Sequence, residues 1–435
     1  MRLKSACFMF CYRLAATALI LPAACYLALR RRRDPPYGWR FWQLFGLALP
    51  RLRGGCVVFH AASMGEANSL KALAGTFALA HPGTRTVVSV MTTTGREAAL
   101  RIKGVDVVFA PLDQFCACRR FFRRLRPRML VTVDTELWPE KLAAARRFGC
   151  PFVIVNGRMQ QKNLEKYLRH PALAKDLLGE RLACVLCASE EDAARYRALG
   201  VPSERVAVTG NLKYDIEMDP QKLAKGRGFR QDLGCPVLGA LSLHSGEEVP
   251  VIGAFLRMRE QIPDLRLVLV PRHKEDGEAA CALMDSKGLA YERRSALRCA
   301  EDFTSPVLLG DTMGEMALYI GMCHAAFMGG SFCPIGGHNP IEPASCGVPV
   351  LTGPDFHNFK GEYAALMDSG GAVECQSEDD LAQKACALLS SDEELERRSK
   401  AALEAVQSGR GAVGRTLETL GRILDHGVEA QPPAR

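Results

Sequence analysis

Tryptophan is scarce, at 3 residues, and aromatics make up only 7% of this 435-residue chain. Its basic residues do not interleave with aromatics in any recognised module, which argues against a nucleic-acid binder. The string G-x-x-x-x-G-K-[ST] is missing, so a Walker-type phosphate loop is excluded. No Asp-x-Asp pair offers the carboxylates of a metal-nucleotide site. Cys184 and Cys187 form a CxxC pair, but no second pair and no histidine pair stands at zinc-finger spacing. No short internal repeat is present. Beyond residue 33 no run is long and apolar enough to span a bilayer, which excludes a transporter.

What remains describes a globular chain. Hydrophobic residues are 48% and charged residues 24%, a balance that favours packed cores over disorder. The length calls for two or three domains. A net charge of +8 favours anionic partners such as phosphates or a membrane surface. The 17 cysteines are scattered through apolar runs, which reads as small buried hydrophobes in a reducing compartment.

The N-terminus carries a membrane signal. Leu14–Leu29 is almost wholly apolar, Ala6–Tyr12 extends it, and Arg30–Arg33 follow at once. A cleaved signal peptide fits poorly with four arginines after the apolar stretch. "LPAAC" resembles a lipoprotein box, but proline stands where an aliphatic residue belongs. A retained anchor in residues 1–33 fits best, its arginines on the cytoplasmic side. That segment is expected to be dispensable for folding.

After Asp34-Pro35-Pro36 apolar strands alternate with helical stretches. This pattern predicts parallel sheets covered on both faces, the α/β class. Residues 34–214 form one such series. Residues 215–235, polar and glycine-containing, read as a linker. Residues 236–410 form a second series, and 411–435 read as a last helix and a frayed tail. Two doubly wound domains are expected to face a cleft at the carboxyl ends of their strands, where open α/β sheets bind ligands.

The chemically loaded residues fall at those strand ends. Glu66 follows a strand and opens a helix, where the dipole favours an ionised carboxylate able to take a proton from a hydroxyl. It also reads simply as a cap. Asp134, Glu136 and Glu140 crowd another strand end, and such like-charge clusters perturb pKa values. Lys213 closes a strand and suits a phosphate, or is an ordinary surface lysine. Pro271, Arg272 and His273 end an all-apolar strand, and arginine offers a fork for phosphate. Thr312 and Glu315 match a capping box whose first turn would also suit an anion. Between Met328 and Glu342, glycine pairs permit close backbone approach. Asn339 can cap there, Pro340 fits the first helical position, and Glu342 is placed to accept both vicinal hydroxyls of a ribose. This stretch points to nucleotide binding. The helix "CRRFFRRLRPR" puts Arg119, Arg120, Arg123 and Arg124 opposite Phe121, Phe122 and Leu125, a solvated face or a surface for anionic lipid.

In this order, "SMGE", "TTTGRE", "DTELWPE", "VNGRM", "TGNLKYD", "LHSGEE", "VPRHKE", "GDTMGEM" and "GGHNPIEPASCGVPVLTGP" resemble the 3-deoxy-D-manno-octulosonic acid (Kdo) transferase family of Gram-negative bacteria. The resemblance implies a GT-B fold of two Rossmann-like domains and inverting transfer of Kdo from CMP-Kdo to a lipid A precursor of lipid IVA type. It implies Glu66 as general base, Glu136 and Lys213 steadying the transition state, and Pro271, Arg272, Met313, Gly314, Glu315, Asn339 and Glu342 on the cytidylate. It further implies no metal cofactor and no nucleic-acid partner. The chain is expected at the inner membrane, anchored N-terminally on an anionic surface, its catalytic domains facing the cytoplasm. Met64, Asp134, Gly157 and Met159 depart from the usual residues of these motifs. None removes a proposed catalytic group, and Gly157 bears on the acceptor side. Rival readings are another two-domain nucleotide-sugar enzyme, such as an epimerase, and a binding protein that lost the chemistry. The second would be marked by loss of Glu66 or Glu342, and both are present.

Overall fold

The computed structural model describes residues 3–20, 22, 24–26, 29, 35–52, 54–297 and 302–426. The chain divides into two compact units: residues 1–215 with 410–435, and residues 216–409.

The first unit is built on a seven-stranded sheet in the order β3-β2-β1-β4-β5-β6-β7. Its strands are β1 (Cys56–Ala61), β2 (Thr86–Val90), β3 (Asp106–Phe109), β4 (Pro127–Val133), β5 (Phe152–Gly157), β6 (Cys184–Cys187) and β7 (Val206–Val208). All neighbours pair in parallel. Runs such as Val57–Phe59 and Val153–Val155 are buried throughout, because helices cover both faces of the sheet. Strand order reverses between β1 and β4, and chain segments leaving their carboxyl ends diverge there.

The second unit repeats the plan with seven strands in the order β10-β11-β9-β8-β12-β13-β14. These are β8 (Val237–Leu243), β9 (Arg266–Pro271), β10 (Tyr291–Arg293), β11 (Val307–Leu309), β12 (Ala325–Met328), β13 (Val350–Thr352) and β14 (Ala372–Glu374). All are again parallel, and order reverses between β8 and β12. The α/β expectation therefore holds in both units.

Three details differ from the sequence reading. The segment read as a linker contains the helix Pro220–Leu233, capped by Asp219 and closed by Gly234. It packs on the helix Met316–Met322. A Cβ on Gly226 would come within 2.1 Å of Leu318 O, and one on Gly321 within 2.6 Å of Leu223 O. Gly226 of that segment and Gly321 are the contact points of a close helix crossing. Second, the helix Ala412–His426 belongs to the first unit. Ala412, Leu420 and Ile423 are buried in its core, and Asp215 accepts from Gly411 N (2.6 Å) and from Val413 N.

The third concerns the N-terminus. Leu3–Ala18 is helical, and no helix among the described residues is long and apolar enough to cross a membrane. The arginine run 30–33 lies outside the described residues, as does the tail beyond 426. The helix docks on the first unit. Met9 is buried in the core, and Tyr12 donates to Asp113 at 2.7 Å. Arg13 makes a two-pronged pair with Glu140 at 2.8 and 3.1 Å. The helix Leu3–Ala18 is thus packed on the first unit.

The buried-hydrophobe reading of the cysteines fits the described ones, most of which are buried and all of which are free. Cys184 and Cys187 lie in β6 on opposite faces, in different core clusters. A spacing of three on a strand does this, so the CxxC pair cannot converge on a metal. Burial pushes the Cys184 thiol up to about 12.

Candidate active site

In the first unit the segments after β1, β2, β4, β5 and β7 carry the motif residues. Glu66 sits in the first turn of the helix Met64–Ala80. Its Oε2 accepts from Ala62 N at 2.7 Å, Ser63 Oγ donates to its Oε1 at 3.0 Å, and its own N–H donates to Ser63 Oγ at 3.3 Å. Glu66 is therefore both a cap and a carboxylate at the reversal point of the sheet. The helix Thr93–Leu100 starts against it. Gly95 leaves room for Ser63, whose carbonyl group would be 3.4 Å from an added Cβ. Burial pushes the Glu66 carboxyl above the usual range; the Ala62 amide pulls it down, and Glu136 and Asp134 push it up. The helix dipole does not prevail, so Glu66 binds a proton more readily than an exposed glutamate.

The acidic cluster after β4 splits. Glu136 accepts from Trp138 Nε1 and lies 3.8 Å from His60 Nε2. Burial pushes its carboxyl up, but its neighbours, Trp138 and Lys141 among them, outweigh burial and hold it below the ordinary range. Asp134 takes a left-handed backbone, φ 59°, and accepts from Asn156 Nδ2 at 2.8 Å. Glu140, read from sequence as a member of this crowd, is buried and paired with Arg13 instead.

Lys213 lies in the turn Leu212–Tyr214 after β7. That strand is on the edge of the sheet, yet the turn comes back to pack on the helix Met64–Ala80. Asn156 at the end of β5 draws it in, its Oδ1 accepting from Leu212 N at 3.0 Å. Asn156 thus ties Asp134 and the Lys213 turn together. Gly157 is buried next to it, and an added methyl would stand 3.2 Å from both Tyr196 and Val185. The missing methyl bears on core packing.

In the second unit the loops after β11, β9, β8 and β12 leave four adjacent strands. The loop after β12 is the most constrained. A Cβ on Gly329 would meet Ser242 O at 2.4 Å, and Gly336 has φ 96°, a region glycine alone enters freely. Glu247, after β8, is buried and accepts from His244 N (2.9 Å), Gly330 N (2.6 Å), Ser331 N (3.0 Å) and Phe332 N (2.8 Å). One carboxylate thus fixes the glycine loop across the reversal point. Sequence reasoning missed Glu247. The available signal was its place in "LHSGEE" after a buried strand.

Asn339 Oδ1 accepts from Ile341 N at 3.1 Å at the start of the short helix Ile341–Ser345, and Glu342 lies in its first turn. Burial pushes Glu342 up, while Asn339 and Arg272 pull it down. Arg272 follows Pro271 at the end of β9, its N–H on Leu243 O at 2.7 Å. Met313 and Gly314 lie on an exposed loop, Gly314 with φ 77°. The expected capping box at Thr312 does not form. Thr312 Oγ donates to the Glu315 carboxylate at 2.5 Å, and the helix begins later, at Met316. Glu315 is held by Arg294 at 3.2 Å.

His244, His273 and Asp276 bring possible ligand atoms within 4.8 Å of one another. Each already has a partner: His244 Nε2 faces His338 Nε2 at 2.9 Å, and Asp276 accepts from His273 N at 3.1 Å. Burial lowers His338 to about 4, so this histidine pair is uncharged at neutral pH.

Residues 39–216 match the family model described as 3-deoxy-D-manno-octulosonic-acid transferase (kdotransferase). The 3-deoxy-D-manno-octulosonic acid transferase of Haemophilus influenzae is 31% identical over 93% of this chain and 96% of its own length. That of Bordetella pertussis is 33% identical over 87% of this chain and 92% of its own. Among solved structures, a putative UDP-N-acetylglucosamine 2-epimerase from Listeria monocytogenes aligns over 87% of this chain and 98% of its own, at TM-score 0.56 and 16% identity. Anabaena HepE with UDP and glucose aligns at TM-score 0.52 over 84% of this chain and 99% of its own, at 14% identity. These last two show a GT-B-like fold and no more. Two relatives above 30% identity, each matched along most of its length, place this chain in the Kdo transferase family of glycosyltransferases.

Proposed function

We propose that this chain transfers Kdo from CMP-Kdo to a lipid A precursor of lipid IVA type, with inversion, as a step of lipopolysaccharide biosynthesis. Glu66 takes the proton of an acceptor hydroxyl. That oxygen forms the new bond to the anomeric carbon of Kdo. The bond from that carbon to the phosphate oxygen breaks, and its electron pair leaves with CMP. Glu136, kept ionised by its neighbours, faces the positive charge that develops on the sugar. Lys213 faces the negative charge. Arg272 takes the phosphate, Glu342 with Asn339 takes the ribose hydroxyls, and Pro271, Met313, Gly314 and Glu315 complete the cytidylate site. Glu66 carries this reading: a raised carboxyl, half-buried and oriented by two hydrogen bonds, is what a general base near neutral pH requires. No step needs a metal, and dialysis against a chelator should leave the rate unchanged.

The site of action in this proposal is the cytoplasmic face of the inner membrane. Two features support it. The docked helix Leu3–Ala18 turns Leu3, Phe8, Phe10 and Leu14 outward. Gln114 bonds its Thr17 at 3.2 Å, beside the helix Phe115–Leu125, whose Arg119, Arg120, Arg123 and Arg124 are exposed. Exposed apolar and cationic groups on neighbouring segments suit anionic lipid.

The test is mass spectrometry of lipid IVA after incubation with CMP-Kdo, with UDP-sugars as controls. Product heavier by whole Kdo units, from CMP-Kdo alone, supports the proposal. Transfer or epimerisation of a UDP-sugar instead would overturn it.

A further inference from the structure

Behind Glu66 and Glu136 lies a buried pair that the reaction scheme leaves unused. Lys141, on the helix Pro139–Arg147, is buried, and so is His60 in β1. Lys141 Nζ stands 3.1 Å from His60 Nε2 and 5.6 Å from the centre of the Trp138 ring. The other ring nitrogen, Nδ1, lies 3.1 Å from Ser89 O and 3.0 Å from Ser89 Oγ. A carbonyl oxygen only accepts and an ammonium only donates, so both contacts are satisfied together when Nδ1 carries the ring proton and Nε2 is bare. A bare imidazole nitrogen takes one donor, and Lys141 supplies it. Burial and the neighbouring Lys141 hold His60 down to about 4, so the ring itself is neutral near pH 7.

The geometry also fixes how Lys141 reaches that position. Trp138, at the start of its helix, offers no cap. Asp113, from the segment after β3, provides one, accepting from Glu140 N at 2.9 Å and Lys141 N at 2.8 Å. Tyr12 holds Asp113 from the other side. The groups that act on Lys141 come from several elements: Asp113, Cys118, Glu136 and Glu66. Glu66 in turn faces Glu136 and Asp134. Glu136 faces His60, Trp138, Lys141 and Tyr167. Glu136 and Glu66 therefore both act on one buried amine, and Asp134 acts on Glu66.

We propose that Lys141 is a positioning residue for transfer: its buried ammonium, seated on the bare nitrogen of His60, is the fixed counter-charge for Glu136 and Glu66. This rests on Glu66 being the base. Burial lowers Lys141 below the ordinary lysine range while the carboxylates of Asp113, Glu136 and Glu66 pull it back up, and the cation they favour offsets their mutual repulsion. The sign of the effect follows. A nearby cation favours the ionised carboxylate, so removing it raises the carboxyl of Glu66. The base then fills with a proton at a higher pH, and the acidic limb of the rate profile moves up.

The experiment compares full-length wild type with Lys141→Met, which keeps the chain length and removes the charge. The acidic limb of kcat/KM is expected to shift upward by about one pH unit. That is a tenfold loss on the acidic side, recovering toward wild type as pH rises, with CMP affinity unchanged. A limb that stays put, or a loss equal at every pH, overturns the proposal. The wild type gives a second readout that survives a misfolded variant. Nitrogen-15 NMR is expected to show His60 protonated at Nδ1 and bare at Nε2, and Lys141 as an ammonium at neutral pH. A proton on Nε2, or a neutral Lys141 amine, overturns it equally. The NMR result does not depend on Glu66 being the base. If it came out as expected while Glu66→Gln still turned over, the assignment of the base would fail and the buried ion pair would stand.

Discussion

The two units share a sheet plan but build their strand-end sites from different materials. In the first, charged side chains do the shaping: Glu66, Glu136, His60 and Lys141 are packed close enough to set one another's protonation. In the second, backbone does the shaping. Glycines at 329, 330, 336 and 337 let the chain fold tightly, and one buried carboxylate, Glu247, ties three successive amides and His244. The first is suited to moving a proton; the second is suited to holding a rigid anionic ligand. The difference teaches that two Rossmann-like sheets specialise through what fills the reversal point, not through the sheet itself.

Glu247→Ala should produce the largest effect confined to the second unit. It strips four amides of their acceptor, and the two that are buried, Gly330 N and Ser331 N, cost about 1–3 kcal/mol each. CMP affinity is expected to fall more than tenfold in calorimetry, and thermal unfolding to begin lower. A variant that binds CMP normally would show that the loop does not need its carboxylate. Arg13→Met addresses the first unit. It leaves buried Glu140 without its partner, and since Arg13 is itself partly exposed, the cost should be about 1–3 kcal/mol. Chemical denaturation should detect it as a lower midpoint, with CMP affinity unchanged; an unmoved midpoint would mean the docked helix adds nothing to the fold. The smallest effect is expected for Gly157→Ala. Its methyl presses on Tyr196 and Val185 at 3.2 Å, and about 1 kcal/mol of overpacking should appear in the melting temperature. Transfer rate should hold within a few-fold; a change in acceptor preference would put Gly157 on the acceptor surface.

How much of this was legible in the sequence follows from range. Buried apolar runs such as Val57–Phe59 and Leu267–Val270 announced parallel strands, and local signals such as Asn339 before Ile341 announced their turns. Glu66 was legible because its partners, Ala62 and Ser63, are its chain neighbours. Glu247 was not, because three of the four amides it holds lie more than eighty residues away. Lys141 with His60 and Arg13 with Glu140 are as far apart, and Asp113 stands 28 residues before the Lys141 whose helix it caps. The false linker failed for another reason. Glycine content counted toward a linker, whereas Gly226, facing Gly321, marks close packing, and one sequence does not tell the two apart.

The account turns on Glu66 as a base that works independently of nucleotide binding, so the most direct measurement is turnover and CMP affinity on the same Glu66→Gln preparation. Turnover is expected to fall by about 10²–10⁴-fold, the usual worth of a general base, with the CMP dissociation constant unchanged. Turnover within a few-fold of wild type would contradict the account, and so would a parallel loss of CMP binding.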